Sequence, residues 1–355
     1  SWYQHHNRSE REPMMLQPLD FDAPPDVRDA LAAMGRTEDV ALSPGGGRLA
    51  IAEFARNRIL VLEVEREERL TTGRVVLSRF VELSSPRFRS PHGLCFLDED
   101  ILVVASREGT LTLHRLPALS LSTGHLDSSP IQTIRPGLLR QKVTPGSVAT
   151  LAVGPSEVEM LVCNNYQNTV TRHLLDPRRN YRSKTSHTLL QRRLDVPDGV
   201  AVSPDGRWIA ISNHSTYTVL VFENGGELNP QSEPAGILTN VECPHGLKFT
   251  GDGGALLVAS AATPFIHVFE RDALVDGLRR DDWLGMRAPA GSLQVMDDET
   301  YQRGRTNDEE GGPKGLVVST DLNLVATTSE FQPLAFFELQ TLLQTGTRAR
   351  ATEPA

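Results

Sequence analysis

The sequence predicts an all-β protein, a six-bladed β-propeller closed by an N-terminal strand in the last blade. Three observations lead there. First, one phrase recurs along the chain: PHGLCFLDEDILVVAS from Pro91, PDGVAVSPDGRWIAISN from Pro197, PHGLKFTGDGGALLVAS from Pro244 and PKGLVVSTDLNLVATTS from Pro313. A relative without the proline, EDVALSPGGGRLAIAE, starts at Glu38, and a weaker copy, TLAVGPSEVEMLVCNN, starts at Thr150. Second, the matched apolar positions Val40, Leu94, Leu151, Val200, Leu247 and Leu316 are 54, 57, 49, 47 and 69 residues apart. Third, each copy reads as an apolar strand, a Gly/Asp/Pro turn, a second apolar strand and a third ending in an aromatic or leucine. Repeats of this period made of short antiparallel strands build radial four-stranded sheets around a central channel.

Each element follows in order. Residues 1–12 are expected to be disordered, and residues 1–13 hold no apolar core of the kind a secretory signal requires. PMMLQPLDF, Pro13 to Phe21, is apolar enough for a closing strand, and DVRDALAAMG, Asp26 to Gly35, has helical spacing behind two prolines and ends in Gly. The propeller is placed at 13–340, with blades starting near 38, 91, 147, 197, 244 and 313. Third strands are RILVLEV, TLTLHRL, NTVTRHLL, TVLVFE and FIHVFE; fourth strands are VVLSRFVEL, IQTIRP, HTLLQRRL, GILTNV and SLQVMD. The last repeat stops after LAFFEL, so Met14 to Leu19 is expected to supply its fourth strand and remove an exposed edge. The longest spacing holds an insertion, 271–312, whose DEEGGPKG end should approach the channel mouth. Residues 341–355 read as a polar, frayed tail.

Composition narrows the function classes. Lys plus Arg number 36 against 45 Asp plus Glu, a net charge of −9, which repels phosphate backbones and argues against a nucleic-acid partner. The basic stretch HLLDPRRNYRSKTSH reads as a solvated outer-strand loop. No apolar run approaches the roughly 18 residues of a membrane helix. Three cysteines, Cys95, Cys163 and Cys243, fall in different repeats with no short-spaced pair, which points to reduced thiols and a cytoplasmic setting.

Chemistry should gather on the axis. Inner strands begin at one end of the channel, so the residue between Pro and Gly is a ring position: Glu38, His92, an unclear Ala149 or Ser147, Asp198, His245 and Lys314. Ionisable groups aimed at one small space are costly unless paired or sharing a cation. Two imidazoles and two carboxylates suit zinc, iron or manganese, so His92, His245, Asp198 and Glu38 are the candidate ligands of a divalent metal. By ring symmetry His92 and His245 should lie opposite one another. The competing explanation is structural: such residues also tie a strand start to its neighbouring blade. Variety of charge type favours a site. The ends of the second strands give another ring, Glu53, Arg107, Asn164 with Asn165, Asn213 with His214, and Glu330, with Tyr166 and Phe331 as walls. From it Arg107, Asn165, Tyr166, Asn213, His214 and Glu330 are the candidate substrate-binding residues. There is no GxSxG nucleophile motif, and the GGG, SPDG and TGDGG strings are hairpin turns.

At repeat level, PDGVAVSPDGRWIAISN resembles the gluconolactonase and senescence-marker family and the NHL-type and strictosidine-synthase-like propellers. PHGLKFTGDGGALLVAS and NHSTYTVLVFE are similar to repeats of a seven-bladed lactonase-like group. The resemblance spans roughly residues 38–340 and is specific for architecture. In the gluconolactonase-like family a divalent metal is held on the axis by a Glu starting the first inner strand, two Asn and an Asp. Glu38 and Asp198 match by position, while His92 and His245 stand where Asn ligands have no clear counterpart, which disfavours calcium.

Two functions from different classes result. One is an enzyme for a small molecule, most simply metal-assisted hydrolysis of a lactone or ester, with Glu38, Asp198 and Lys314 catalytic: a metal on His92, His245 and Asp198, Glu38 as fourth ligand or base, and Lys314 steadying negative charge. Its metal-free variant, with no cofactor, is a condensation or cyclisation of strictosidine-synthase type. The other is a binding scaffold for a protein partner, using insertion 271–312 with Trp283, Trp208 and Tyr301.

Overall fold

The computed structural model describes residues 15–67, 74–118, 124–134, 143–154, 156–275, 278–281 and 283–351. The expectations for residues 1–12 and for Met14 lie outside them. Six sheets radiate from an axis. Their inner strands are Thr37–Leu42, Pro91–Phe96, Pro145–Gly154, Pro197–Val202, Pro244–Phe249 and Leu316–Ser319. Each inner strand packs on the next and the sixth packs on the first, so the ring is closed.

Blades stack face to face, which explains why the second strands are continuous apolar runs instead of alternating ones. Ile101–Ser106, Trp208–Asn213 and Ala255–Ser260 are buried at every position. Six apolar clusters fill the six spaces between neighbouring blades; one joins Val40 and Leu60 of the first blade to Val317 and Phe336 of the last. The matched position in the third blade is Val148, not Leu151, because Val148 is the residue packed between blades. The spacings then even out to 54, 54, 52, 47 and 69.

The recurring Gly of the phrase has a steric cause. A Cβ on Gly199 would lie 2.1 Å from the carbonyl oxygen of His245, and one on Gly246 would lie 2.4 Å from that of Lys314. The inner strands approach too closely for any side chain there.

The ends of the chain depart from expectation. The last sheet has three strands among the described residues, and Met15 to Leu19 does not form a continuous fourth. Leu19 meets Phe336 in one antiparallel bridge, its N–H donating to the Phe336 oxygen at 2.7 Å, while Met15 bridges to Gln294 on the outer strand of the fifth blade. Pro18 has no N–H, which interrupts a ladder at that point. We keep closure by this segment as a proposal: deleting residues 1–20 should lower the melting temperature, and an unchanged value removes it. Helix Pro25–Ala32 buries Val27 and Leu31 between the last and first blades.

The tail is not frayed from residue 341, because Leu339–Ala351 is a helix with Leu339 and Leu342 buried against the fifth and sixth blades. Nor is the insertion only a loop. It contains a hairpin, an extra strand Gly285–Arg287 added in parallel to the fourth blade, the fourth strand Gly291–Gln294 of the fifth blade, and helix Asp298–Gly304. Trp208 and Trp283, expected to face a protein partner, are fully buried, Trp283 against Phe249. Tyr301 ties its hydroxyl to the Ala262 oxygen at 2.6 Å. No helix among the described residues is long and apolar enough to cross a membrane.

Candidate functional site

A β-bulge starts five of the six inner strands. Pairing with the second strand slips between Thr37 and Val40, Pro91 and Gly93, Pro145 and Ser147, Pro197 and Gly199, and Pro244 and Leu247. The slipped residue leaves the ladder, and a bulge re-aims its side chain. Those residues include Glu38, His92, Asp198 and His245, which the bulges turn to the axis. In the third blade the slipped residue is Gly146, not Ser147 or Ala149. It offers only its carbonyl oxygen, 2.7 Å from Nδ1 of His92. The space its side chain would fill is taken by the amide of Asn165, 1.7 Å from a Cβ at that point.

On the axis the four side chains interlock. Nε2 of His92 and Nε2 of His245 each lie 3.5 Å from Oε2 of Glu38. The same two nitrogens lie 3.7 Å and 3.4 Å from the oxygens of Asp198. The imidazoles stack, with centroids 5.2 Å apart, so each carboxylate reaches both. All four side chains are at most 4 % exposed. Donation from Nδ1 of His92 to Gly146 leaves its Nε2 a bare acceptor, and both that Nε2 and Oε2 of Glu38 are buried without a hydrogen-bond partner. Nε2 of His92 and Oε2 of Glu38 thus face each other as acceptors 3.5 Å apart.

Cationic side chains flank both carboxylates. Arg36 bonds Oε1 of Glu38, and Lys314 sits 3.3 Å from Oε2. Lys314, fully buried, is also 2.9 Å from Glu310 and 3.2 Å from Glu330. On the other side Arg107 donates to Asp198 at 3.0 Å, and the Asn165 amide donates to the same carboxylate. Four carboxylates thus meet three permanent cations, leaving one negative charge for a proton or metal to balance.

These contacts set the protonation states. Burial pushes the Glu38 carboxyl up, but Lys314, His245, His92 and Arg36 outweigh it and hold it well below the ordinary range. Burial likewise opposes ionisation of Asp198, and His245, Arg107 and His92 overcome it. Burial and then Arg107 push His92 down to about 3, so its imidazole is neutral. His245 goes the other way: burial lowers it, yet Asp198 and Glu38 raise it above the usual value.

The second ring divides. Arg107, Asn165, His214 and Glu330 join the cluster, His214 through Nδ1 at 3.8 Å from Asp198. Tyr166 lies at the rim, exposed, under the Arg107 guanidinium at 5.6 Å. Asn213 does not join: its amide bonds the Arg193 oxygen at 2.9 Å and Thr216 at 2.7 Å, and it accepts from the Asp195 N–H. It is a turn former, as are Asn164, tied to Thr169 and Thr171, and Glu53, tied to Gly35 and Arg58. Sequence reasoning missed Arg36 and Glu310. Arg36 precedes the repeated phrase, and Glu310 has no counterpart in other repeats, though its segment was expected at the mouth.

Glu38, His92 and His245 each present one donor atom, all within 4.8 Å of one another, and could hold a metal ion. Bonds of about 2.0–2.1 Å in a tetrahedron separate ligand atoms by about 3.3–3.4 Å, and the two edges from Glu38 Oε2 to the imidazole nitrogens, 3.5 Å each, lie near that spacing.

No protein-family model matches the chain, and no curated protein matches it. Solved structures do. A structural-genomics target described provisionally as a gluconolactonase superposes with a TM-score of 0.52 at 13% identity, covering 86% of this chain and 89% of that one. A functionally unknown protein from Desulfotomaculum acetoxidans gives 0.51 at 13% identity, over 86% and 83%. A luciferin-regenerating enzyme gives 0.53 at 10% identity, over 85% and 86%. At such identities the likeness establishes the six-bladed propeller fold and nothing finer.

Proposed function

We propose that the chain is a hydrolase for a lactone or ester at the mouth of its central channel, with a divalent metal held by Glu38, His92 and His245. The observation that carries this reading is the set of three converging, buried donor atoms, of which Nε2 of His92 has no hydrogen-bond partner. Two imidazoles and a carboxylate suit zinc, iron or manganese better than calcium, which prefers oxygen ligands. Such an ion, when bound, polarises a carbonyl and acidifies a coordinated water.

The chain's own groups supply the remainder. Asp198 stays ionised beside His245, Arg107 and Asn165 and accepts a hydrogen bond from the attacking water, which holds it in line. Nδ1 of His92 is fixed by the Gly146 carbonyl, which orients its ring. Lys314, expected to steady negative charge on the substrate, is ringed by three carboxylates; in this reading it keeps Glu38 ionised instead. Arg107 over Tyr166 forms part of the rim where substrate enters.

The test is a panel of lactones and esters offered to chelator-stripped and metal-loaded protein. Hydrolysis should need the metal, and Asp198→Asn should lower kcat by about 10²-fold with metal content retained. Absence of hydrolysis in loaded protein across the panel overturns the proposal. A metal-free condensation or cyclisation, with Glu38 or Asp198 as acid–base group, is favoured by one observation, the pairing of both carboxylates with side-chain cations. Undiminished turnover in stripped protein would select it.

A further inference from the structure

Glu310 is a carboxylate seated in a place made of cations. Its Oε2 lies 2.9 Å from Nζ of Lys314 and 3.7 Å from a guanidinium nitrogen of Arg36, and its Oε1 lies 3.9 Å from Nε2 of His214. Lys314 and Arg36 do not need it, because each also contacts Glu38 and Glu330. Without Glu310 the cluster would hold three carboxylates and three permanent cations.

The residue comes from the insertion, on a loop built to present it. Asn307 Oδ1 accepts the N–H groups of Glu309 and Glu310 at 2.9 and 2.8 Å. Gly311 and Gly312 donate to the Ala261 oxygen at 2.9 and 2.8 Å, and Thr306 bonds Glu330 at 2.6 Å. The propeller supplies the cations, and the insertion supplies the anion.

We infer that the seat of Glu310 is a carboxylate-binding subsite, held in this structure by the chain's own side chain and taken by the carboxylate of a small-molecule ligand when Glu310 withdraws. As a ligand class this deepens the hydrolase reading and rests on it, since cleaving a lactone or ester creates a carboxylate. Glu310 would then compete with the product for Lys314, Arg36 and His214. The binding geometry itself needs no metal.

The experiment is calorimetric titration of chelator-stripped full-length protein with benzoate and, as the uncharged control, benzamide. Wild type should bind benzoate weakly. Glu310→Ala should bind it tighter by about tenfold or more, the scale of one charge-assisted hydrogen bond, with benzamide unchanged. Adding Arg36→Gln should remove the gain. Glu310→Gln, nearly isosteric, is measured alongside in case the alanine variant fails to fold. If Glu310 merely neutralises Lys314, a folded Glu310 variant will lose stability and gain no preference for benzoate, and the inference falls. Because no metal is present, that failure leaves the hydrolysis assay intact, and a failed hydrolysis assay leaves this titration intact.

Discussion

Two groups of buried histidines share one protein and sit in different surroundings. His92 and His245 begin inner strands, whereas His114, His173 and His267 lie on third strands, farther from the axis. Burial does not separate them, and neither does an unpartnered ring nitrogen, because each third-strand histidine has one too. Each of the outer three rests its other nitrogen on a hydroxyl: His114 on Ser128, His173 on Thr171 and His267 on Ser292. What differs is the surroundings. Charged groups surround the inner pair within 3.7 Å, while burial alone governs His114 and His267. An orphaned nitrogen marks a site only where opposite charge converges on it.

The sharpest way to break this contrast is to remove one charge from each region. Lys314→Met should cost about 3–5 kcal/mol of stability, because three carboxylates lose a buried partner. His267→Leu, which replaces a neutral ring in an apolar setting, should cost less than about 1.5 kcal/mol. Urea unfolding of both variants checks this, and equal losses would erase the distinction.

A gentler intervention disturbs the ring without touching its charges. Gly199→Ala drives a methyl into the His245 carbonyl and should cost about 2–3 kcal/mol. Gly47→Ala, with nothing within 4 Å, should change stability by less than about 0.5 kcal/mol. Thermal melts of the pair measure the difference; a benign Gly199→Ala would mean the inner strands are not so tightly apposed.

The smallest effect separates the groups by sign. Burial pushes His114, His173 and His267 down to about 4, so their contribution is complete above the ordinary value of 6.5 and is lost as pH falls toward 4. His245, raised, contributes below its ordinary value and loses that contribution as pH rises through its higher folded value. Between pH 6.5 and 5 the outer histidines should cost about 1–2 kcal/mol each. Replacing His114 and His267 by Gln should flatten that part of the stability profile. A profile as steep as before would assign acid sensitivity elsewhere.

Much of the fold was legible because it is repetitive. The phrase carried its own register, and a Gly set by close strand approach recurs in four of the six blades, with Asp39 and Ser147 in its place in the other two. His92, Asp198, His245 and Lys314 were legible for the same reason, standing between Pro and Gly, and Glu38 was legible from the copy of the phrase that lacks both. Gly146 was readable too, behind Pro145, but with no side chain of its own it drew attention to its neighbours. Arg36 and Glu310 lie outside the repeat, where no period constrains them, and only folding brings them to Glu38 and Lys314. Asn213 illustrates the opposite error: an Asn after a strand satisfies local backbone groups first, and nothing in its spacing separates it from Asn165. Trp208 and Trp283 read as surface aromatics, yet stacking of blades on both faces left them in the interior.

The claim on which the rest depends is that Glu38, His92 and His245 form one cation site on the axis. Titrating chelator-stripped protein with zinc against a chromophoric competitor tests it directly. The account predicts about one ion per chain, retained in His114→Gln and lost in the His92→Ala, His245→Ala double variant. Wild type that takes up no ion, or a double variant that binds as well as wild type, would contradict it.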